Sequence, residues 1–292
     1  MSEAAYTDMQ MDAVRWWYGC GVTGRMVDTK AEEKREAQVR SAWKSDQGLA
    51  RENNEDAVLV DEAKGIFLLA DGMGGAPGGE VASLLAVTAA AELLARELPG
   101  SQSGMAGRLL AEALAAANSA VAKRALGDPS LAGMGTTLEI VLVQGAKAVV
   151  CHVGDSRVYN YREGVLRQIT TDDNYAAVLA GRGYASEQIP RAYRHLLTQV
   201  VGLSDALVPE IHTIALQPED LLLICSDGLT EVMEDSEISS FLALKPRELS
   251  CLAEALIATA IGKGGPDNIS VLVVEPIEVA AGAPFLLPPP QA

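Results

Sequence analysis

Cysteine and histidine are scarce in this sequence, and neither is arranged as a set of metal ligands. Its four cysteines are far apart, with no Cys-x-x-Cys pair. The three histidines, His152, His195 and His212, are equally isolated. Because zinc sites usually recruit thiolates and imidazoles, this distribution disfavours a zinc protein. Cys151 and Cys225 lie in apolar strand-like runs, so we expect reduced core cysteines and a cytoplasmic location.

Positive charge is also in short supply. The chain has 23 Lys and Arg residues against 39 Asp and Glu residues, and its formal net charge is −16. Nonspecific binding of nucleic acid needs a basic surface that displaces counterions, so we expect no nucleic-acid partner. Anionic substrates remain open, because bound divalent cations would reverse the local sign of the charge.

A long apolar run and a secretory signal are absent as well. The most apolar stretch, residues 81–94, is rich in alanine and contains Glu92, and Arg96 follows it. A helix that crosses a bilayer needs about 20 apolar residues, so this stretch indicates a buried helix. The N-terminus begins with polar residues and shows no apolar core followed by a cleavage site. We therefore expect neither a membrane partner nor secretion.

Length and composition are sufficient for a well-packed globular fold. The 292 residues are 49% hydrophobic, which allows one large domain or two small ones. Residues 1–37 have no clear pattern, and residues 280–292 contain three consecutive prolines. We predict an N-terminal extension over residues 1–37, a folded catalytic domain over residues 38–278 and a Pro-rich C-terminal tail over residues 279–292.

Hydrophobic periodicity predicts strands in hairpins and helices in pairs. The predicted strands are 57–60, 66–70, 136–144, 148–153, 157–162, 166–170, 220–226 and 269–273, and the predicted helices are 77–98, 104–126 and 246–261. The four strands between 136 and 170 form a predicted meander, and a helix-and-loop excursion follows over residues 171–205. This order favours antiparallel sheets with helices outside, an α+β fold, over an alternating α/β fold.

Five short acidic motifs lie where predicted strands begin or end. Their aspartates are Asp56, Asp71, Asp155, Asp227 and Asp267. A carboxylate at a strand end beside glycine is easily exposed to water and costly to bury alone. Several of them in one domain therefore indicate that they converge on a positive group, and we expect them to be exposed.

The chemistry of these candidate ligands points to a hard divalent cation. An all-oxygen set suits Mn²⁺ or Mg²⁺. Asp71 could bridge two cations, and Gly72 lets its own carbonyl approach one of them. A two-metal site can hold a bridging hydroxide for in-line attack on a phosphoryl group. Arg51, five residues before Asp56, is then a candidate phosphate clamp.

Six strings of this kind occur in one order across residues 40–275. They are Ser45-Asp46-Gln47-Gly48 through Arg51-Glu52-Asn53-Asn54-Glu55-Asp56, Asp71-Gly72-Met73-Gly74-Gly75, Gly133-Met134-Gly135-Thr136-Thr137, Gly154-Asp155-Ser156-Arg157, Ser226-Asp227-Gly228 and Asp267-Asn268. In these strings the chain resembles the metal-dependent protein phosphatases of type 2C, the PPM family, and in particular their compact bacterial members.

The resemblance implies a fold and an activity. The expected fold is a four-layer αββα sandwich of two antiparallel sheets flanked by helices. The expected activity is that of a protein-serine/threonine phosphatase, a hydrolase that acts on phosphoserine and phosphothreonine by attack of a metal-bridging hydroxide. The expected cofactors are two Mn²⁺ or Mg²⁺ ions, and a third ion is left open. The expected partners are Ser/Thr-phosphorylated proteins and a cognate Ser/Thr kinase, in cytoplasmic signalling.

The resemblance also implies roles for individual residues. Asp71 would bridge the two metals, the Gly72 carbonyl would bind one of them, and Asp227 and Asp267 would complete the second. Glu55 and Asp56 would hold metal-bound waters, and Arg51 would hold the substrate phosphate as part of the catalytic set. Asp155, with Asp227, would offer the third and weaker metal site. Residues 171–205 would be the variable flap beside the centre.

Two departures from the family pattern concern chemistry at the site. Many eukaryotic members have histidine at the position of Met73, where it is proposed to protonate the leaving group. Methionine cannot donate that proton, so a metal-bound water would have to do so. Where many members carry Asp-His-Ser, this chain has Asp173-Asn174-Tyr175, which leaves the chemistry of the flap open.

Several alternatives remain open at this point. The chain could be a catalytically silent phosphoprotein-binding regulator of the same fold, or a hydrolase of small phosphoesters. Asp155 and Arg157 could form a structural ion pair instead of part of a metal site. His152 is expected to be a half-buried strand residue and not a ligand.

Overall fold

The structure, a computed structural model, describes residues 39–73, 78–100, 104–204, 206–245 and 247–277. The predicted extension over residues 1–37 and the predicted tail over residues 279–292 lie outside the described residues. The predicted limits of the catalytic domain, 38 and 278, lie outside them too and stay predictions. Within the described ranges, no helix is both long enough and apolar enough to cross a membrane.

The described chain forms two five-stranded antiparallel sheets. The strands are β1 Val39–Asp46, β2 Asp56–Asp61, β3 Ile66–Asp71, β4 Leu138–Gln144, β5 Lys147–Val153, β6 Arg157–Arg162, β7 Val165–Gln168, β8 Glu210–Ala215, β9 Leu221–Cys225 and β10 Ile269–Pro276. The first sheet has the order β1-β10-β9-β6-β7, and the second has the order β2-β3-β4-β5-β8.

Helices cover the outer face of each sheet. The helices of the described chain are α1 Gly79–Glu97, α2 Ala106–Gly127, α3 Tyr175–Gly181, α4 Asp227–Thr230, α5 Asp235–Leu242 and α6 Leu249–Gly262, of which α3 belongs to the excursion over residues 171–205. The long helices α1 and α2 pack together and contact the second sheet, whereas α6 packs on β1 and β10 of the first sheet. The two sheets therefore lie between two layers of helix.

Three apolar layers hold this arrangement together. Phe67 and Ile224 belong to the layer between the sheets, Leu68 and Leu110 to the layer under α1 and α2, and Leu223 to the layer under α5 and α6. Consecutive residues such as Phe67 and Leu68 point to opposite faces of the sheet, and both faces are buried. Each fully buried apolar side chain of this kind contributes roughly 1.5–3 kcal/mol, so burial on both faces favours continuous apolar strands.

The four-layer α+β prediction is confirmed. The predicted hairpin at 57–60 and 66–70 is β2 and β3, and the two long helical patterns are α1 and α2. The predicted N-terminal ends of the three helices differ by two or three residues from the observed ones, and the C-terminal ends differ by one, which is close to the usual uncertainty of helix termini. Cys151 and Cys225 are free and buried in β5 and β9, as expected.

The predicted four-strand meander is wrong. β4 and β5 pair in the second sheet, whereas β6 and β7 belong to the first, so the chain crosses between sheets at residues 154–156. Gly154 permits this crossing because its φ is +120°, which side-chain-bearing residues rarely adopt. A Cβ at Gly154 would also lie 2.5 Å from the Cβ of Thr137. The crossing places Asp155 between the two sheets instead of on a hairpin.

Four elements were missed by the periodicity analysis. β1 and β8 are edge strands, and their mixed polar and apolar residues do not form the continuous runs of central strands. The short helices α4 and α5 follow β9, where the prediction stopped at Asp227. The excursion over residues 171–205 is confirmed in outline: it holds α3 and two 3₁₀ turns, Ser186–Gln188 and Arg191–His195.

Candidate metal centre

The acidic motifs meet at one end of the two sheets. Asp56 begins β2 and Asp71 ends β3, and the antiparallel register places them directly opposite each other. Asp227 follows β9, and Asp267 lies two residues before β10, the neighbour of β9. The Ser226 hydroxyl donates to Oδ2 of Asp56 at 2.8 Å, which joins the two sheets at this point. Aspartates that are far apart in the sequence are thereby brought together.

These carboxylates are less exposed than the sequence analysis expected. Asp56 and Asp155 are buried, and Asp71 and Asp227 are half-buried. The expectation of exposed acids was wrong, because strand ends that meet between two packed sheets shield one another from water. A buried carboxylate needs a proton, a hydrogen-bond donor or a cation.

The raised pKa values of these carboxyl groups also indicate that their negative charge needs a proton, a donor or a cation. Burial raises the pKa of Asp56 to about 7, against hydrogen bonds from Ser270 and Ser226 that lower it. Burial, followed by the charges of Glu231 and Asp267, raises the pKa of Asp227 to about 7. The pKa values of Asp56 and Asp227 are therefore raised mainly by burial and then by the crowding of like charges.

Asp71 is the most strongly affected member of the cluster. Burial, followed by the charges of Asp56 and Asp227, raises its pKa well above the usual value. Its carboxyl group lies within hydrogen-bonding reach of that of Asp227. Oδ1 of Asp56 is buried and has no partner among the described residues. An all-oxygen donor set that shares protons and leaves an acceptor unpaired fits Mn²⁺ or Mg²⁺.

The backbone on both sides of Asp71 is firmly held. The Asp71 N–H donates to the Thr137 hydroxyl at 2.9 Å, and the Thr136 hydroxyl donates to the Asp71 carbonyl at 2.8 Å. The Gly72 N–H donates to the Glu55 carbonyl at 3.1 Å. A Cβ on Gly72 would lie 2.6 Å from that same carbonyl oxygen. Only glycine allows the two backbones to approach this closely.

Arg51, the predicted phosphate clamp, lies at the rim of the centre. Its Nη2 donates to Oδ2 of Asp267 at 2.6 Å. About a third of the Arg51 side chain is exposed, at 34%, so the guanidinium faces both the acids and solvent. A bidentate group in this position can exchange a carboxylate for the oxygens of a phosphate.

Glu55, predicted to hold a water ligand, is buried beside the first turn of α1. A Cβ on Gly79 would lie 2.8 Å from the Glu55 carboxyl carbon. Burial, followed by the charge of Glu80, raises the pKa of Glu55 to about 7. The Glu55 side chain therefore needs the space that Gly79 leaves, a contact that no local sequence pattern indicates.

Asp155 lies in the crossing between the sheets and is buried. Its neighbour Arg157 does not pair with it: the Arg157 guanidinium donates to both oxygens of Asp172 at 2.8 Å and to the Tyr159 hydroxyl at 3.0 Å. The alternative of an Asp155–Arg157 ion pair is therefore not the arrangement observed. Burial, followed by the charge of Asp227, raises the pKa of Asp155 well above its usual value.

Three residues without a predicted role at the centre were missed. Asn268 accepts a hydrogen bond from the Glu55 N–H at 2.9 Å and donates to the carbonyls of Gln47 and Asn53. His195 of the flap contacts Glu231 through Nδ1 and Oε1 at 3.0 Å. Within the described ranges, His195, Glu231 and Asp227 form the one set of three ligand-type side chains whose atoms lie within 4.8 Å of one another.

Of the missed residues, Asn268 already stood in the string Asp267-Asn268, and Glu231 had a usable signal in its spacing from Asp227. It stands four residues after Asp227, the spacing of neighbours on one helical face. His195 comes from a distant segment, and the reach of Asn268 depends on tertiary packing.

A groove of about 440 Å³ opens beside the acids and runs along the flap. Its lining combines Asp155 and Asp227 of the centre with Arg191 and Arg194 of the flap. His152, in contrast, is not at the surface of this groove: it is fully buried in β5, so the expectation of a half-buried side chain was wrong.

Comparison with known proteins gives one consistent family. The family model described as protein phosphatase 2C matches residues 49–258. The serine/threonine protein phosphatase PstP of Mycobacterium tuberculosis is 38% identical over 249 residues, which is 84% of this chain and 46% of that protein. This chain therefore spans about half the length of PstP.

Two further comparisons cover nearly all of the matched protein. The serine/threonine phosphatase stp of Listeria monocytogenes is 32% identical over 242 residues, which is 81% of this chain and 96% of the relative. The solved structure of the PstP catalytic domain in complex with two manganese ions matches with a TM-score of 0.71 and 38% identity. The match covers 81% of this chain and 97% of that domain.

Proposed function

Because the chain belongs to the protein phosphatase 2C family, we propose that it is a metal-dependent protein-serine/threonine phosphatase. The observation that carries this proposal is the convergence of Asp56, Asp71, Asp227 and Asp267 at one end of the two sheets, with Arg51 at the rim. The reaction is hydrolysis of a phosphate monoester: water adds to phosphorus, the bond from phosphorus to the serine or threonine oxygen breaks, and that oxygen gains a proton.

The proposed ligands of the cofactor are residues of this cluster. Asp71, the Gly72 carbonyl, Asp227 and Asp267 would hold two Mn²⁺ or Mg²⁺ ions, and Asp155 would contribute to a weaker third site. When bound, two such ions activate water and neutralise charge on the phosphoryl group. Support comes from the relative that binds two manganese ions and from the all-oxygen donor set.

The chain's own residues bind and orient the reactants. Arg51 would leave Asp267 and grip two oxygens of the substrate phosphate. Glu55 and Asp56 accept protons and would orient water at the centre. Met73 offers no proton to the leaving oxygen, so that proton must come from water at the centre. Each of these roles is a proposal that mutation can separate.

Phosphoproteins are the proposed substrate class, and a Ser/Thr kinase is the proposed counterpart in signalling. The groove along the flap is open and carries charged side chains from Arg191 and Arg194, which suits an extended peptide better than a small isolated phosphoester. The free cysteines, Cys151, Cys225 and Cys251, support a cytoplasmic location. A silent phosphoprotein-binding regulator would have no chemical reason to keep the crowded acids together.

The proposal is tested with metal-stripped protein and a phosphothreonine peptide. Mn²⁺, Mg²⁺, Ca²⁺ and Zn²⁺ are added back separately, and released phosphate is measured. We expect turnover with Mn²⁺ or Mg²⁺ and its near-complete loss in Asp227→Asn, which removes one charge and leaves the shape unchanged. Folded protein that binds the peptide but shows no turnover with any metal would instead be the silent regulator.

A further inference from the structure

One buried ionisable pair takes no part in the proposed reaction. Glu139 on β4 and His152 on β5 stand opposite each other in the sheet register, and both side chains are 0% exposed. Nδ1 of His152 lies 2.6 Å from Oε1 of Glu139. The other carboxylate oxygen, Oε2, is buried and has no partner among the described residues. A buried pair that is incompletely satisfied is a poor source of stability, which suggests another role.

The third partner of this pair belongs to the flap. Nε2 of His152 lies 2.9 Å from the backbone carbonyl of Thr171. A carbonyl can only accept, so Nε2 carries the hydrogen, and Nδ1 shares a proton with the carboxylate. Burial lowers the pKa of His152, but the Glu139 carboxylate outweighs burial and the pKa is raised to about 9. At neutral pH, Nε2 of His152 therefore carries a hydrogen and donates it to the Thr171 carbonyl.

Thr171 begins a hinge segment, residues 171–173, in which every residue is anchored. The Thr171 N–H donates to Glu210 at 2.7 Å. Asp172 accepts both hydrogen bonds of the Arg157 guanidinium at 2.8 Å. The Asp173 N–H donates to the Gly154 carbonyl at 2.6 Å, and Gly154 donates back to Oδ2 of Asp173 at 3.2 Å. The hinge segment is thus hydrogen-bonded to Gly154 before Asp155 and to Arg157 after it.

The flap wall of the groove starts directly after the hinge segment. Asn174 caps α3 by accepting a hydrogen bond from the Ala177 N–H at 2.9 Å. Asn174, Asp172 and Arg194 all line the groove beside Asp155 and Asp227. A shift of the hinge segment would therefore move the wall that faces a bound peptide, while Arg51 and the acids of β2, β3, β9 and β10 would stay in place.

We propose that Glu139 and His152 are positioning residues for the phosphoprotein substrate. They hold the hinge segment against the crossing and so fix the flap wall of the groove. The inference rests on the proposed function and extends it to substrate selection. Its consequence is selective: loss of the pair weakens binding of a phosphopeptide but spares a small aryl phosphate, which does not reach the flap.

The test uses two variants of the pair. Glu139→Met with His152→Leu removes both charges together, which keeps an apolar core filled, and deletes the donor to Thr171. Glu139→Gln is the matched control, because its amide can donate to Nδ1 while the neutral ring keeps its Nε2 hydrogen on Thr171. Ile140→Val, the next residue on β4, controls for mild core destabilisation.

The first readout is a comparison of two substrates. For the double variant we expect KM for a phosphothreonine peptide to rise about tenfold, with kcat/KM for p-nitrophenyl phosphate within about twofold of wild type. Glu139→Gln and Ile140→Val should keep the wild-type KM for the peptide. Equal losses for both substrates, or no loss for either, would mean that the pair only packs the core.

The second readout needs no turnover. Hydrogen exchange at the Asp173 amide and tryptic cleavage at Arg191 and Arg194 should both be faster in the double variant and unchanged in Glu139→Gln. If the wild type proves inactive, the proposed function fails, but these measurements still decide whether the pair holds the hinge segment.

Glu210→Ala releases Thr171 from outside the core, because Glu210 accepts hydrogen bonds from the Thr171 N–H and hydroxyl and lies outside the lining of the groove, and it serves if the double variant does not fold. It should give the same rise of KM for the peptide with the small substrate spared. A wild-type KM in folded Glu210→Ala would overturn the proposal.

Discussion

At the scale of one residue, Arg51 both pairs with Asp267 and remains available to bind a phosphate. Its guanidinium is held by Asp267 at 2.6 Å, yet it stays partly exposed at the mouth of the acidic cluster. An ion pair between partly exposed groups contributes little to stability. The value of Arg51 therefore lies in what it can bind, and its removal should change kinetics more than folding.

For Arg51→Ala we expect kcat/KM for the phosphothreonine peptide to fall roughly 10- to 100-fold. The loss should come mainly from KM, because the guanidinium contacts phosphate in the ground state as well as in the transition state. The thermal midpoint should change little. Steady-state kinetics with Arg96→Ala, an exposed arginine on α1, is the control. A wild-type KM would contradict the role as phosphate clamp.

At the scale of elements, the side chain of Asn268 links the loop after β1 to the segment before β10. The Asn268 side chain accepts a hydrogen bond from the Glu55 N–H and donates hydrogen bonds to the carbonyls of Gln47 and Asn53. A Cβ on Gly228, at the start of α4, would lie 2.1 Å from the Asn268 carbonyl oxygen. The Asn268 side chain thus holds the loop that carries Arg51 and Glu55 against the segment before β10. Glycine at position 228 lets α4 pack closely against the backbone of the same residue.

Asn268→Ala should therefore reduce both stability and activity. Leaving the buried Glu55 N–H unpaired costs roughly 1–3 kcal/mol, and the partly buried hydrogen bonds to the Gln47 and Asn53 carbonyls are lost as well, so we expect the free energy of unfolding in urea to fall by about 2–4 kcal/mol.

The control is Asp220→Ala at the end of β9 opposite to Asp227, where Asp220 accepts hydrogen bonds from Arg162 and from the Gln217 N–H. The control should lose stability and keep its turnover when folded. Equal turnover losses would contradict a local role for Asn268.

At the scale of the whole molecule, the crowded acids link stability to pH and to cations. The pKa values of Asp56 and Asp227 are raised to about 7, above the usual value near 4 in an unfolded chain. Between those values the folded protein holds more protons than the unfolded protein. The free energy of unfolding of metal-free protein therefore falls as the pH rises through that range.

Metal binding should reverse this loss, because cations replace the protons. At a concentration about a hundredfold above its dissociation constant, Mn²⁺ adds about 2.7 kcal/mol, which raises the thermal midpoint by roughly 5–10 °C. The increase should be larger at about pH 8 than at about pH 5.5. Thermal unfolding with EDTA or Mn²⁺ at both pH values measures it, and Asp227→Asn should flatten the difference. An equal increase at both pH values would contradict the linkage.

The sequence by itself determined the fold class and the identity of the acidic motifs. Apolar runs such as 66–70 and 221–225 form strands because both of their faces are buried, and a run of that kind is visible without a structure. The preference for oxygen ligands was inferred from residue types, since neither histidine nor cysteine occurs in a ligand spacing, whereas the approach of His195 to Asp227 and Glu231 depends on the flap. Asp56, Asp71, Asp227 and Asp267, which belong to those motifs, lie at one end of the two sheets.

Only the tertiary structure decided how those residues are joined and how far they are shielded from water. Asp155 lies in a crossing between sheets instead of a hairpin, and Arg157 pairs with Asp172 instead of Asp155. The acids are buried because strand ends from two sheets cover one another. His152 meets Thr171 only because the flap begins against β5. Local periodicity describes which face of a strand is apolar, but contacts between distant segments depend on how those faces pack.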